Sequence, residues 1–183
     1  MKITGYIPFL LFFKPHVYFE NKDTPKPSGA EIAIANHTTL LDFAMLLYVY
    51  KFRVVRVLMA EVLYKRPLNA WFMKHMRGIK VDRGNRTDVE HMQLMKDTLY
   101  NRDVVGIFPE GRLNPQGKDY GPLLPFGSGA IHLSMVTGAR VRPLYFHTNG
   151  GVFKSSAIMV GNPIDFQSMF GNEPTPEALE RAK

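Results

Sequence analysis

Glu31-Ile32-Ala33-Ile34-Ala35-Asn36-His37-Thr38-Thr39-Leu40-Leu41-Asp42 opens with an alternating run and closes with the start of a helical one that continues to Tyr50. The pattern predicts a strand over 31–35 and a helix from 40 to 50, apolar nearly all round and therefore covered. Two residues five apart on one helix point about 140° from each other. His37 and Asp42 therefore meet only if the histidine stands on the turn before the helix and the aspartate on its first turns. So placed, Asp42 orients one imidazole nitrogen and leaves the other as a general base. The same residues carry a plainer reading, in which Thr39 to Asp42 is a capping box with Thr39 as N-cap and His37 is an ordinary turn histidine.

Outward from this stretch, strands and helices alternate. Further strands are expected over 16–20, 54–58, 78–83, 104–108, 141–146 and 157–160, the fifth of these interrupted by Pro143. Arg56 within 54–58 places that strand at an edge or in a partly solvated position. Helices are expected over 63–76, with Pro67 near its start and Trp71 inside, and after a capping box at Thr87-Asp88-Val89-Glu90. Another covers 129–136 and stops at Gly138, and Thr175-Pro176 reads as a helix start with proline at N1. Residues 21–29 and 114–127, rich in Gly and Pro, read as loops. The alternation argues an α/β fold: a single layered domain with a largely parallel central sheet flanked by helices.

Composition sets limits on what the chain does. Its 183 residues suffice for one domain with a real core, and 45% hydrophobic against 21% charged residues is a globular balance. No cysteine is present, which excludes disulfides, thiolate nucleophiles and sulfur-ligated zinc, and fits a reducing cytoplasm. The net charge is +7, concentrated between Lys51 and Arg86, where ten Lys/Arg face only Glu61 and Asp82. Such a stretch attracts polyanions: nucleic acid, anionic lipid headgroups or a phosphorylated substrate.

The N-terminus is apolar over 7–13, but Lys14 and Pro15 end it short of the roughly 20 residues a spanning helix needs. No cleavage-site pattern follows, so no secretory signal is expected. Residues 1–15 read either as an interfacial anchor, with Tyr6, Phe9, Phe12 and Phe13 at the lipid boundary, or as a segment buried against the domain at 16–183. The helix that starts at Thr175 stops at Lys183, which reads as a truncated C-terminus.

In open α/β sheets, ligands sit beyond the carboxyl ends of the strands. Three polar clusters fall there: His37/Asp42, Arg83-Gly84 and Glu110-Gly111-Arg112. Arg83 stands where a guanidinium and backbone N–H groups grip phosphate, or else it pairs with Asp82 or Asp88. A carboxylate repels phosphate, so Glu110 more plausibly positions an arginine, accepts from a substrate hydroxyl, or forms a loop ion pair. No His/Asp/Glu set has metal-ligand spacing, so no metal is expected.

Four ordered blocks resemble the glycerolipid acyltransferases of the 1-acylglycerol-3-phosphate O-acyltransferase (lysophosphatidic acid acyltransferase) type. Asn36 to Asp42 resembles the family's His-x-x-x-x-Asp block, and Gly78 to Arg83 its arginine-ended second block. Phe108-Pro109-Glu110-Gly111-Arg112 is similar to the third, and Val141-Arg142-Pro143-Leu144 to the proline-centred fourth. The resemblance spans about residues 17–163 and implies a glycerol-3-phosphate acyltransferase-like fold. It implies His37 as base, Asp42 as its partner, and Arg83, Glu110, Gly111 and Arg112 around the acceptor headgroup. Two departures concern the acceptor: Arg112 and Leu113 follow Gly111 where many members have Thr, Arg and Ser, and the lysine members often carry near Gly127 or Ser128 is missing.

The resemblance further implies transfer of a fatty acyl group from acyl-CoA or acyl carrier protein to the free hydroxyl of 1-acylglycerol-3-phosphate, giving phosphatidic acid in phospholipid biosynthesis. The substrate hydroxyl is itself the nucleophile, so no enzyme-bound intermediate and no cofactor beyond the acyl donor are expected. The expected partners are a lysophospholipid, the acyl donor and an anionic membrane surface, with no nucleic acid. The expected place is the cytoplasmic face of the cell membrane, peripheral or monotopic. Two alternatives stand beside this: the same fold with another lysolipid or an amino-acid-derived acceptor, and a basic lipid- or nucleic-acid-binding module without chemistry.

Overall fold

The computed structural model describes residues 15–39, 42–65, 67–81, 89–116, 121–148 and 156–182. The proposed N-terminal anchor before Pro15, Arg83 with its glycine, and the Thr87-Asp88 half of the capping box lie outside them.

The chain alternates as expected: β1 (Pro15–Phe19), β2 (Glu31–Ala35), α1 (Asp42–Val49), β3 (Val55–Ala60), a 3-10 turn (Glu61–Tyr64), α2 (Pro67–His75), β4 (Ile79–Val81), α3 (Glu90–Tyr100), β5 (Val104–Ile107), α4 (Gly129–Thr137), β6 (Arg140–Thr148), β7 (Ser156–Val160), α5 (Phe166–Phe170) and α6 (Pro176–Arg181). The strands form one sheet in the order β1-β7-β6-β2-β5-β3-β4. Every neighbouring pair is parallel except β6 with β7. Parallel neighbours need a crossover of a dozen or so residues, and the connection between β6 and β7 is too short for one.

Both faces of the sheet are covered, which is why β5 is buried at all four positions. On one face Ala33, Val57, Val104, Phe146 and Ile158 pack with Met45 and Leu46 of α1. Successive residues turn to the other side, where Ile32, Val105, Ile107 and Val141 meet Met95 and Leu99 of α3 and Leu133 and Met135 of α4. Gly106 fixes how closely α1 approaches: a Cβ there would stand 3.1 Å from Leu46 and 3.2 Å from Val57.

Three local expectations change. β3 lies between β5 and β4, so it is not an edge strand, although Arg56 on it is half-exposed. The helix expected over 63–76 is split, the 3-10 turn giving way to α2 with Pro67 as first residue, where its missing N–H costs nothing. Pro143 does not interrupt β6, which runs unbroken from Arg140 to Thr148. Its carbonyl accepts from Gly161 N at 2.9 Å, so its nitrogen also faces the β7 side, just beyond the last β6–β7 pair at Leu144 and Val160. No bond to β2 is lost. Gly138 (φ 70°) ends α4 in the left-handed region, and Thr175 caps α6 by accepting from Ala178 N. α5, five residues long, carries too little periodicity to announce itself in sequence.

Candidate active site

β2 and β5 are adjacent and leave the sheet together, Ile34 opposite Ile107. The segment after β2 carries His37, and the segment after β5 carries Glu110. Asn36 closes the β2 end: its Nδ2 donates to Phe146 O (3.0 Å) and its Oδ1 accepts from Phe146 N (2.7 Å). The chain then turns, and α1 begins at Asp42.

His37 Nδ1 lies 3.1 Å from Asp42 Oδ2 across that turn. The same carboxylate accepts from Thr38 N (2.6 Å), Thr39 N (2.8 Å) and the Thr39 hydroxyl (2.6 Å). Asp42 Oδ2 accepts from Thr39 N as one half of a capping box does, and the same oxygen stands against the imidazole. Asp42 ties the turn to the helix start, where a negative charge suits the helix dipole, and it also faces the imidazole. A carboxylate accepting from four donors assigns the Nδ1 proton to the hydrogen bond with Asp42, leaving Nε2 with its lone pair. The imidazole stacks on Phe108, centroids 4.2 Å apart, and His37 stays 19% exposed while Asp42 is fully buried.

The His37 peptide is gripped from both sides. Glu110 Oε1 accepts from His37 N (3.0 Å), and Asn114 N donates to His37 O (2.6 Å). Glu110 Oε2 accepts from Asn114 Nδ2 and Leu124 N (2.8 and 2.9 Å), and Asn114 Nδ2 also reaches Pro122 O. This departs from the expectation of Glu110 beside an acceptor headgroup: its carboxylate is buried, and both oxygens are engaged by the chain itself. Gly111 turns the chain away at φ 70°, with its N–H on Phe108 O, and Arg112 beside it is exposed. Arg83, the expected phosphate contact, lies outside the described residues. Nothing in the sequence marks Asn114, since a buried asparagine in a Gly/Pro-rich loop reads like any other turn residue, and Phe108 is visible only as the first residue of its block.

The basic stretch is not one solvated face. Arg53 donates to the carbonyl of Gly29, and Lys80 pairs with Glu61 at 2.8 Å, whereas Lys51, Lys65 and Arg77 are exposed. Among the described residues no group of three His, Asp or Glu stands close enough to hold a metal ion, and no helix is long and apolar enough to cross a membrane.

A second acid-base contact stands at the opposite end of β2. Arg142 donates to Glu31 through Nε (2.9 Å) and Nη2 (2.7 Å) and to Gly161 O through Nη1, and the Tyr50 hydroxyl donates to Glu31 at 3.0 Å. Both charged side chains are fully buried. Burial foremost, then the Glu31 charge, pushes the Tyr50 pKa well above its usual value. Burial alone would lower that of Arg142, but the Glu31 carboxylate reverses the sign and it is raised.

The chain is similar to several known proteins. The chain is 30% identical over 122 residues to human 1-acyl-sn-glycerol-3-phosphate acyltransferase alpha, a match covering 64% of this chain and 41% of that protein. It is 28% identical over 156 residues to the human beta form, covering 78% and 53%. The matched part thus spans about two fifths to a half of these relatives. The crystal structure of the 1-acyl-sn-glycerophosphate (LPA) acyltransferase PlsC from Thermotoga maritima shares the fold, with a TM-score of 0.64 over 99% of this chain and 72% of that one, at 21% identity. The family model described as Acyltransferase matches residues 16–147, which includes β1, β2, β5 and both halves of the site, and the chain belongs to that acyltransferase family.

Proposed function

We propose that this acyltransferase moves a fatty acyl group from acyl-CoA or acyl carrier protein to the free hydroxyl of 1-acylglycerol-3-phosphate, producing phosphatidic acid at an anionic membrane surface on the cytoplasmic face. The observation that carries the reading is the His37–Asp42 contact, with the Nε2 side of a partly exposed ring left for a substrate. In the step, Nε2 takes the proton of the acceptor hydroxyl as its oxygen bonds to the thioester carbonyl carbon. The carbon–sulfur bond then breaks, and the imidazolium returns the proton to the departing thiolate. Asp42 stabilises the imidazolium in between. The step balances without a cofactor. The relatives' names supply the acceptor, and Arg83 is the cation assigned to its phosphate. Glu110 and Gly111 shape the turn that presents His37, so Glu110 is a positioning residue.

The test is mass spectrometry of the products formed from one acyl-CoA and a panel of lysolipids, with wild type and His37→Ala. Phosphatidic acid from lysophosphatidic acid is expected, and the variant should lose about 10²- to 10⁴-fold in turnover while keeping the wild-type circular dichroism. Wild-type turnover by the variant removes His37 from the chemistry. A different lysolipid or an amino-acid-derived lipid as preferred acceptor would keep the mechanism and replace the substrate.

A further inference from the structure

The loop that grips His37 also holds apolar side chains out into solvent. Leu113 (38% exposed), Leu123 (47%) and Phe126 (40%) sit on it, and Met159 (41%) of β7 stands alongside. Leu123, Phe126 and Met159 line a groove of about 310 Å³ over β6 and β7, walled by Ile34, Pro143 and Tyr145 and by Glu20, whose carboxylate accepts from Asn162 N at 2.8 Å. Asn114 Nδ2 donates to Pro122 O, so the residues next to Leu113 and Leu123 are joined by a hydrogen bond. This exposure is imposed by hydrogen bonds: Leu124 N is fixed to Glu110 Oε2, and Gly127 N to Pro109 O at 3.0 Å. Apolar side chains kept outward by a bonded loop, three of them around one groove, mark a surface with a partner.

We propose that this loop is a membrane-docking surface, with Leu113, Leu123, Phe126 and Met159 entering the lipid interface and Arg112 meeting an anionic headgroup. Charge decides the occupant. Arg112 is exposed, has no acidic partner among the described residues, and belongs to a chain of net charge +7. A cation beside exposed Leu and Phe side chains suits an anionic bilayer. Because Glu110 and Asn114 join the loop to the His37 peptide, docking here brings the catalytic ring to the surface from which a lipid acceptor comes. That consequence rests on the function proposed above; the docking itself does not.

The experiment is sedimentation of the full chain with phosphatidylglycerol-containing and pure phosphatidylcholine vesicles. Leu123→Ser with Phe126→Ser is expected to weaken binding to the anionic vesicles about tenfold or more, since each side chain loses its transfer from water to lipid. Arg112→Gln should weaken binding to the anionic vesicles alone. In a Trp71→Phe background, Leu123→Trp fluorescence should be quenched by brominated lipid, which tests insertion without removing any apolar group. Wild-type affinity in the double serine variant, or an unquenched signal, overturns the proposal. Equal effects of Arg112→Gln on both vesicle types overturn the headgroup contact. Acyl transfer to a water-soluble short-chain acceptor separates the two readings: the double serine variant should keep wild-type turnover there, and a wild type inactive on every acceptor sinks the function while leaving the docking result standing.

Discussion

The two ends of β2 carry acid-base contacts of opposite character. At its start, Glu31 and Arg142 are both fully buried and joined by two hydrogen bonds, with Tyr50 adding a third to the same carboxylate. Beyond its end, Asp42 is as deeply buried, but its partner His37 is 19% exposed and has a ring nitrogen pointing away from the acid. A closed network spends its hydrogen-bonding capacity on the chain. An open one keeps a lone pair in reserve, which is what the proposed base requires of His37. The helix α1 joins them, beginning at Asp42 and followed directly by Tyr50, so it is tied to β2 at both ends.

The sharpest way to break the contrast is to remove charge from the open end. In Asp42→Asn the amide oxygen keeps the bonds from Thr38 N, Thr39 N and His37, and the amide nitrogen donates to the Thr39 hydroxyl, so the turn survives. The stabilisation of the imidazolium does not, and kcat should fall about 10²- to 10⁴-fold with the urea midpoint nearly unchanged. At the closed end the roles reverse. Arg142→Met leaves Glu31 charged and buried, and urea denaturation should show about 3–5 kcal/mol of lost stability, with near wild-type turnover per folded molecule.

Glu110→Gln probes the link between site and loop. However the amide turns, it opposes an N–H to an N–H, either at His37 or at Asn114 and Leu124, and the ring is displaced. A fall in kcat of about 10- to 100-fold at unchanged KM is expected. A raised KM at unchanged kcat would instead restore the headgroup contact that the sequence suggested.

The smallest effect is at Tyr50. Its pKa is raised in the folded chain, by burial first and by the Glu31 charge second, so the unfolded chain ionises this phenol at lower pH than the folded one. Its contribution to stability is complete below about pH 10 and is lost as the pH rises further. Tyr50→Phe should cost about 1 kcal/mol at pH 7 and flatten the alkaline decline, both read from urea midpoints at pH 7 and above pH 10.

Seven strands and the meeting of His37 with Asp42 were legible because each rests on local periodicity and spacing, which neighbours in sequence decide. The antiparallel turn of β7, the interior place of β3 and the continuity of β6 through Pro143 were not, because they depend on which strand lies alongside. The same limit explains Glu110. Its residue type and its place after a strand were visible, but its engagement with Asn114, Leu124 and the His37 peptide needs atoms from three segments. Arg142 was read only within a proline-centred block, since nothing local reveals that its partner stands 111 positions earlier.

Gly106 gives the core a say in the chemistry. With no side chain between β5 and Leu46, α1 settles onto the sheet at a depth set by van der Waals contact, and Asp42 inherits that depth as the helix's first residue. The position of Asp42 thus depends in part on a contact several residues away, in the dry interior. A core substitution that the fold tolerates is therefore expected to shift Asp42 relative to His37 as well.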